Sequence, residues 1–289
     1  MSAPDRPERE SPGARHEGSP ASTPTRQPGG CAPFPGGHAL LQVRGLRVAF
    51  GGVVAVDDVS FDLEAGRMLA LIGPNGAGKS TCFNALSGQR RPDAGSVRLD
   101  GAELVGLAPQ KIWRLGVGRT FQTAATFGSL TVRENVQAAL LSRDGLLYRP
   151  WRRAARHAAD EADALLAQVG MQAHAERQCG VLAYGDVKRV ELAVALAHRP
   201  RLLLMDEPTA GMAARERHDL MQLTRELADR GKVAVLFTEH SLDVVFRHAD
   251  RIMVLVRGRV LADAPPADVA ADPRVRAAYL GDDPAMPQG

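Results

Sequence analysis

The chain has 289 residues, 45% of them apolar, with 36 basic against 33 acidic side chains and a formal net charge of +3. That length and apolar fraction are enough for a substantial core, and the near-balance of charge speaks against a dedicated nucleic-acid binder, which concentrates a basic excess. No apolar run approaches the ~18 residues of a membrane-spanning helix, and the N-terminus lacks the apolar stretch of a secretory signal, so a cytoplasmic location is expected. Cys31, Cys82 and Cys179 are widely separated, without metal-ligand spacing, as suits a reducing compartment.

Residues 1–38 are rich in Pro, Gly, Ser, Arg and Glu, with four Arg against four Asp and Glu. Such a composition buries too little apolar surface to offset chain entropy and predicts a disordered tail. From Leu40 the pattern changes. Residues 40–50 and 59–63 alternate in strand fashion, and 68–73 form a short apolar run ending in Gly, read as a buried strand. A Gly-rich loop follows, with a helix starting near Gly78. Around 92–100 a turn enters a strand closed by Asp100-Gly101.

Residues 131–143 and 152–169 have helical spacing, broken around 146–153, which holds Pro150. This is the longest stretch without strand signals, so a helical subdomain is placed at about 123–181. A helix at 186–198, a strand at 202–205, a helix near 213–230, a strand at 233–238, a helix from Ser241 and a strand at 251–256 follow. Strands alternating with helices predict an α/β fold with a mainly parallel sheet. The folded body is assigned to 39–281, with a short tail at 282–289. The densest basic cluster, Arg149, Arg152, Arg153 and Arg156 interleaved with Tyr148 and Trp151, fits a solvated helix entry or contact with lipid headgroups.

Two motifs carry chemistry. Gly73, Pro74, Asn75, Gly76, Ala77, Gly78, Lys79 and Ser80 match G-x-x-x-x-G-K-[ST] in full, with Thr81 next. The glycines let backbone N–H groups turn inward around a polyphosphate, and the following helix offers its positive end. Lys79 is suited to the β and γ phosphates and the Ser80 hydroxyl to Mg²⁺. The second motif is Asp206-Glu207, which ends the apolar run 202–205. Ligands of α/β sheets gather at the carboxyl ends of such strands. There Asp206 is suited to hold Mg²⁺ and Glu207 to orient and deprotonate a water.

With these motifs in place, the sequence resembles the ATPases of ABC transporters from about residue 40 to 281. The resemblance implies a P-loop NTPase fold: a mainly parallel sheet core, an antiparallel β subdomain and a helical subdomain. It also implies ATP and Mg²⁺ as cofactors. Phe50 falls at the family's adenine-stacking aromatic position, although it could simply close a strand. Gln122, in GRTFQ, falls at the Q-loop, which contacts the metal and water and links to the membrane subunit. His240, after a buried strand, falls at the switch histidine that touches the γ-phosphate. The signature that caps the γ-phosphate of an opposite subunit falls at 182–186, where Ala183 lacks the usual Ser hydroxyl and Asp186 replaces Gln or Glu. Gly185 keeps backbone donation available. Ala213 stands where the family has Asp or Asn. These departures concern hydrolysis at the signature-facing site and leave nucleotide binding by this chain untouched.

RTFQ, the LAYG-type signature, the pair Glu239–His240 and AYLG at 278–281 together resemble the ATPases of branched-chain amino-acid importers. The implied partners are transmembrane permease subunits, a second ABC ATPase subunit and, indirectly, a periplasmic solute-binding protein, with no nucleic acid. The implied location is peripheral, on the cytoplasmic face of the inner membrane. The alternatives are the ATPase of a lipopolysaccharide-type exporter, which typically has an LSGG signature and a D-H pair, and a non-transport ABC ATPase, which usually carries a long coiled-coil insertion or a second ATPase core.

Overall fold

Three segments are apolar on both faces and nearly all buried: β3 (Met68–Ile72), β7 (Leu202–Asp206) and β8 (Ala234–Thr238). Strands of that kind belong in the middle of a parallel sheet covered on both sides. In the computed structural model, which describes residues 39–120, 126–146 and 158–280, they do. With β6 (Val117–Thr120), β9 (Arg251–Val256) and β10 (Arg259–Ala264) they form a sheet of order β10-β9-β3-β8-β7-β6. All neighbours pair in parallel except β10, which runs antiparallel to β9 at the edge. A second, antiparallel sheet has the order β2-β1-β4-β5, from β1 (Ala39–Phe50), β2 (Val53–Glu64), β4 (Ala94–Leu99) and β5 (Ala102–Glu103).

The two-residue period of a strand divides the core. Leu69 and Leu71 join Leu202, Leu204, Ala234 and Leu236 in packing toward the antiparallel sheet and α1 (Lys79–Leu86). Met68, Ala70 and Ile72 join Leu203, Met205, Val235 and Phe237 in the other cluster, which includes residues of α3 (Val132–Arg143), α4 (Ala159–Gln168), α5 (Tyr184–Leu196), α6 (Ala214–Gly231) and α7 (Leu242–His248). A short helix α2 (Pro109–Arg114) precedes β6.

The helical portion is fixed by polar ties as well as by its core. Thr131 Oγ1 accepts from the Glu134 backbone N–H at 3.1 Å, while Glu134 accepts from the Thr131 N–H at 2.8 Å. This reciprocal cap starts α3. Buried Asn135 bonds both the N–H and the carbonyl of Phe127, at 2.8 and 3.1 Å, and so pins the segment entering that helix. Arg133 of α3 reaches Asp163 of α4 at 2.7 Å.

The structure lengthens one expected element and adds others. The strand expected at 59–63 begins at Val53, directly after a Gly51-Gly52 turn, with a register shift near Asp58, whose φ is 56°. The helix expected at 186–198 begins at Tyr184, and β6, β10 and α2 were not expected. The expected tails 1–38 and 282–289, Gln122 and the basic cluster around Arg149–Arg156 lie outside the described residues.

Candidate functional site

β3 ends at Ile72, and the motif loop turns directly into α1. Gly73 and Gly78 have φ of 152° and 104°, and a Cβ built on either would lie 2.1 Å from the Leu255 carbonyl oxygen or 2.2 Å from that of Ala55. The backbones of β9 and β2 thus close on the loop so tightly that only glycine fits. Gly76, φ 77°, meets nothing within 4 Å. The first turn of α1 carries neither a side-chain cap nor an acidic residue, so its N–H groups are free of anionic competition from the chain itself. Ser80 is exposed and Thr81 half-buried.

Lys79 is buried, and its Nζ donates to the carbonyls of Gly73 at 2.7 Å and Pro74 at 3.1 Å. Burial pushes its ammonium pKa down, while the charges of Glu207 and Asp206 pull it back up. Asp206 ends β7 beside Thr238 of β8. The Thr238 hydroxyl donates to Asp206 Oδ1 at 2.9 Å and accepts from the Glu207 N–H at 3.0 Å. Glu207 adopts φ 48°, and its Oε1 lies 2.9 Å from His240 Nε2. Lys79, Asp206, Glu207 and His240 therefore stand together at the carboxyl ends of three adjacent strands, β3, β7 and β8, where open α/β sheets bind ligands.

Oxygen donors of this kind suit a hard divalent cation. Among the described residues no group of three or more His, Cys, Asp or Glu side chains is arranged to hold a metal. An ion here would draw its ligands from the Ser80 hydroxyl, the Asp206 carboxylate, phosphate oxygens and water, the habit of Mg²⁺.

Phe50 closes β1 with its ring half exposed, and the Arg90 guanidinium sits 4.5 Å over it. Contact of Ala55 with Gly78 sets this hairpin beside the phosphate loop. Ala183 caps α5 with extended backbone and no side-chain hydrogen bond. Gly185 packs against Met212 and Glu216 at the start of α6 rather than toward the loop, so the signature segment is not part of the cluster around Lys79. Ala213 caps α6, its N–H donating to Glu216 at 3.2 Å.

Two contributors escaped sequence reasoning. Thr238 ties Asp206 to Glu207, and Arg119 of β6 reaches Asp206 Oδ2 at 3.3 Å. Arg119 lies inside the quoted GRTFQ and Thr238 directly before Glu239–His240, but nothing in their spacing announces these contacts. A separate cleft of about 800 Å³, with Leu40, Leu165, Leu227 and Val233 in its lining, lies at the opposite, amino ends of β7 and β8 and holds none of these residues.

Comparisons with known proteins agree with this geometry. The model of the family described as ABC transporter matches residues 56–210, and that of the branched-chain amino acid ATP-binding cassette transporter matches 259–285. The chain is 41% identical over 250 residues to the high-affinity branched-chain amino acid transport ATP-binding protein LivG of Salmonella typhimurium, covering 84% of this chain and 98% of that protein. It is likewise 41% identical to BraF of Pseudomonas aeruginosa, with the same coverage. Among solved structures, a nucleotide-free ATP-binding cassette from an ABC transporter superposes with a TM-score of 0.76 at 29% identity, covering 85% of this chain and 100% of that one. A cassette in its ADP conformation gives the same values. The chain is a member of the ABC transporter ATP-binding family, an ATP-hydrolysing subunit of a transporter complex.

Proposed function

We propose that this chain hydrolyses MgATP to power import of branched-chain amino acids or related small solutes through separate transmembrane permease subunits. The observation that carries the mechanism is the meeting of Lys79, Asp206, Glu207 and His240 at three strand ends. The loop 73–81 holds the phosphates through its N–H groups, with Lys79 supplying the cation. Ser80 and Asp206, with Gln122, hold Mg²⁺, which when bound neutralises phosphate charge. Glu207 is the general base, and His240, bonded to it, orients the base and senses the γ-phosphate. Phe50 stacks on adenine, sandwiching its ring between the base and Arg90.

Because Gly185 packs away from Lys79, a complete site draws Ala183 and Gly185 from a second ABC subunit. The sites are thus completed in a dimer, beneath permeases that a periplasmic binding protein supplies. Among the described residues no helix is long and apolar enough to cross a membrane, in keeping with peripheral attachment at the cytoplasmic face. The solute class rests on the likeness to LivG and BraF and on the match at 259–285.

The test is complementation. A strain lacking its own branched-chain ATPase genes, given this chain with its permeases, should take up labelled leucine, and Lys79→Ala should abolish that uptake. ATPase activity of the chain alone should be low and should rise with the permeases. Full turnover by a monomeric sample would sink the dimeric site, and uptake of unrelated solutes in place of leucine would sink the solute class.

A further inference from the structure

Arg119 lies on β6, three residues before Gln122, with its side chain 11% exposed. One guanidinium nitrogen, Nη1, faces three neutral acceptors: Asn84 Oδ1 at 3.0 Å, Ser87 Oγ at 2.8 Å and Gln89 Oε1 at 3.1 Å. Asn84 belongs to α1, Ser87 is its C-cap and Gln89 follows. The other, Nη2, reaches Asp206 Oδ2 at 3.3 Å. One planar side chain thus joins the far end of the phosphate-loop helix, the strand leading to Gln122 and the carboxylate ending β7.

We propose that Arg119 is a positioning residue for hydrolysis, holding the Asp206 carboxylate in register with the phosphate-loop helix. The proposal rests on the reading of Asp206 as the carboxylate that holds Mg²⁺. Both oxygens of Asp206 are engaged, Oδ1 by Thr238 and Oδ2 by Arg119, so the plane of the carboxylate is fixed before any ion arrives. The Arg119 contact is longer than the 2.7–2.9 Å of a tight charge-assisted bond. It therefore orients Oδ2 without consuming it, and a carboxylate oxygen with two lone pairs retains a site for a metal-bound water. A lysine in place of Arg119 keeps the charge but not the fork that spans three acceptors and the carboxylate at once.

The same bridge passes motion between β6 and the metal carboxylate. A shift of the strand leading to Gln122 would drag the guanidinium and tilt Asp206, while the anchors on α1 resist it. Arg119 thus links β6 to the metal site through one side chain.

The experiment titrates Mg²⁺ into the full chain holding a fluorescent ATP analogue, comparing the parent with Arg119→Met, Arg119→Lys and Asp206→Asn. Affinity for the analogue in EDTA and the melting temperature without nucleotide are measured alongside. We expect Arg119→Met to raise the Mg²⁺ needed for half-maximal tight binding by about 10–100-fold, the usual cost of losing a partner that orients a metal ligand. Metal-free affinity should stay unchanged, and Arg119→Lys should fall between. If Arg119→Met does not fold, Asn84→Ala with Ser87→Ala removes two of the three anchors and should raise the Mg²⁺ requirement in the same direction. An unchanged requirement in Arg119→Met or in the anchor pair, or metal-free affinity falling in step, would overturn the proposal. If Asp206→Asn raises the requirement while Arg119→Met does not, the proposal fails and the reading of Asp206 stands; if Asp206→Asn also leaves it unchanged, that reading fails first.

Discussion

Replacing Glu207 with Gln separates chemistry from folding. The Glu207 backbone is held by its N–H, which donates to the Thr238 carbonyl at 3.2 Å and the Thr238 hydroxyl at 3.0 Å. Neither bond involves the side chain, and Gln tolerates the same φ of 48° as Glu does. The amide oxygen can still take the His240 contact, now 2.9 Å from the carboxylate. The backbone contacts survive the change, so stability should move by about 1 kcal/mol, the typical size of a point substitution. Losing a general base costs about 10²–10⁴-fold in rate, equivalent to about 2.7–5.4 kcal/mol on the barrier. ATP should still bind, and the uncleaved complex should favour a closed dimer that elutes earlier in gel filtration with MgATP. The assay is single-turnover cleavage in the assembled transporter, at the site containing Lys79, with the partner subunit's base already disabled. Cleavage at the parent rate would refute Glu207 as the base and pass the orienting role to His240 or Gln122.

Lys79→Ala removes charge-assisted bonds worth about 1.5–3 kcal/mol and should abolish tight nucleotide binding; equal affinity by equilibrium titration would overturn the loop assignment. Gly78→Ala places a Cβ 2.2 Å from the Ala55 carbonyl at φ 104°, so a loss of about 2–5 kcal/mol is expected from strain and overpacking together. Gly76→Ala, with open space around it, should cost only the conformational part, and equal melting of the two variants would contradict the close approach. Burial holds His198 and His248 down at about 4. Their contribution to stability is complete above the ordinary histidine range near 6.5 and is lost as pH falls toward 4, because there the unfolded chain binds more protons. Urea midpoints between pH 7 and 4 should show this decline, and His198→Gln should flatten it. The Arg143 guanidinium, helped by Arg199, holds the Glu161 carboxyl at about 2. That part is complete above about 4.5 and is lost between there and pH 2, so Glu161→Gln should lower stability by a constant amount above about 4.5, and the gap between variant and parent should close as pH falls toward 2.

What could be read in the sequence was what its physics makes local. The phosphate loop is contiguous, and β3, β7, β8 and β9 declare themselves as apolar runs bounded by polar residues. β6 is harder: VGRT includes a glycine and little bulk, and its place is set by pairing with β7 and by Pro200, which packs over Gly118. β10 lies half exposed at an antiparallel edge, where burial imposes no clean alternation. The first residues of β2 are VVAVDD, with a left-handed residue at Asp58 that interrupts the period. α2 is a single short helix begun by Pro109 at its first position, a signal too brief for periodicity. In the site, Asp206, Glu207 and His240 were legible because motif and strand end coincide. Arg119 and Thr238 were not, because each acts through a neighbour that is remote in the chain.

Charge is also sorted at the strand ends. Three carboxylates meet there: Asp206 at the end of β7, Glu207 just after it, and Glu239 after β8. Glu239 is buried, 3% exposed, and takes both the N–H and the hydroxyl of Thr209 at 2.8 Å. Burial pushes its pKa up, the Thr209 bonds oppose this, and the charge of Glu207 adds to the rise. Its Oε1 thus pins the turn after Glu207 to the end of the strand before His240. Asp206 and Glu207 keep partial exposure, and each has a directional partner, Arg119 with Thr238 for one and His240 for the other. Environments that treat neighbouring carboxyl groups differently assign them different work. Here Glu239 orients the backbone, Asp206 is held through both oxygens, and Glu207 faces a histidine. The division follows from where the two strands stop, at the paired positions Asp206 and Thr238, and from the Thr238 hydroxyl that spans Asp206 and Glu207.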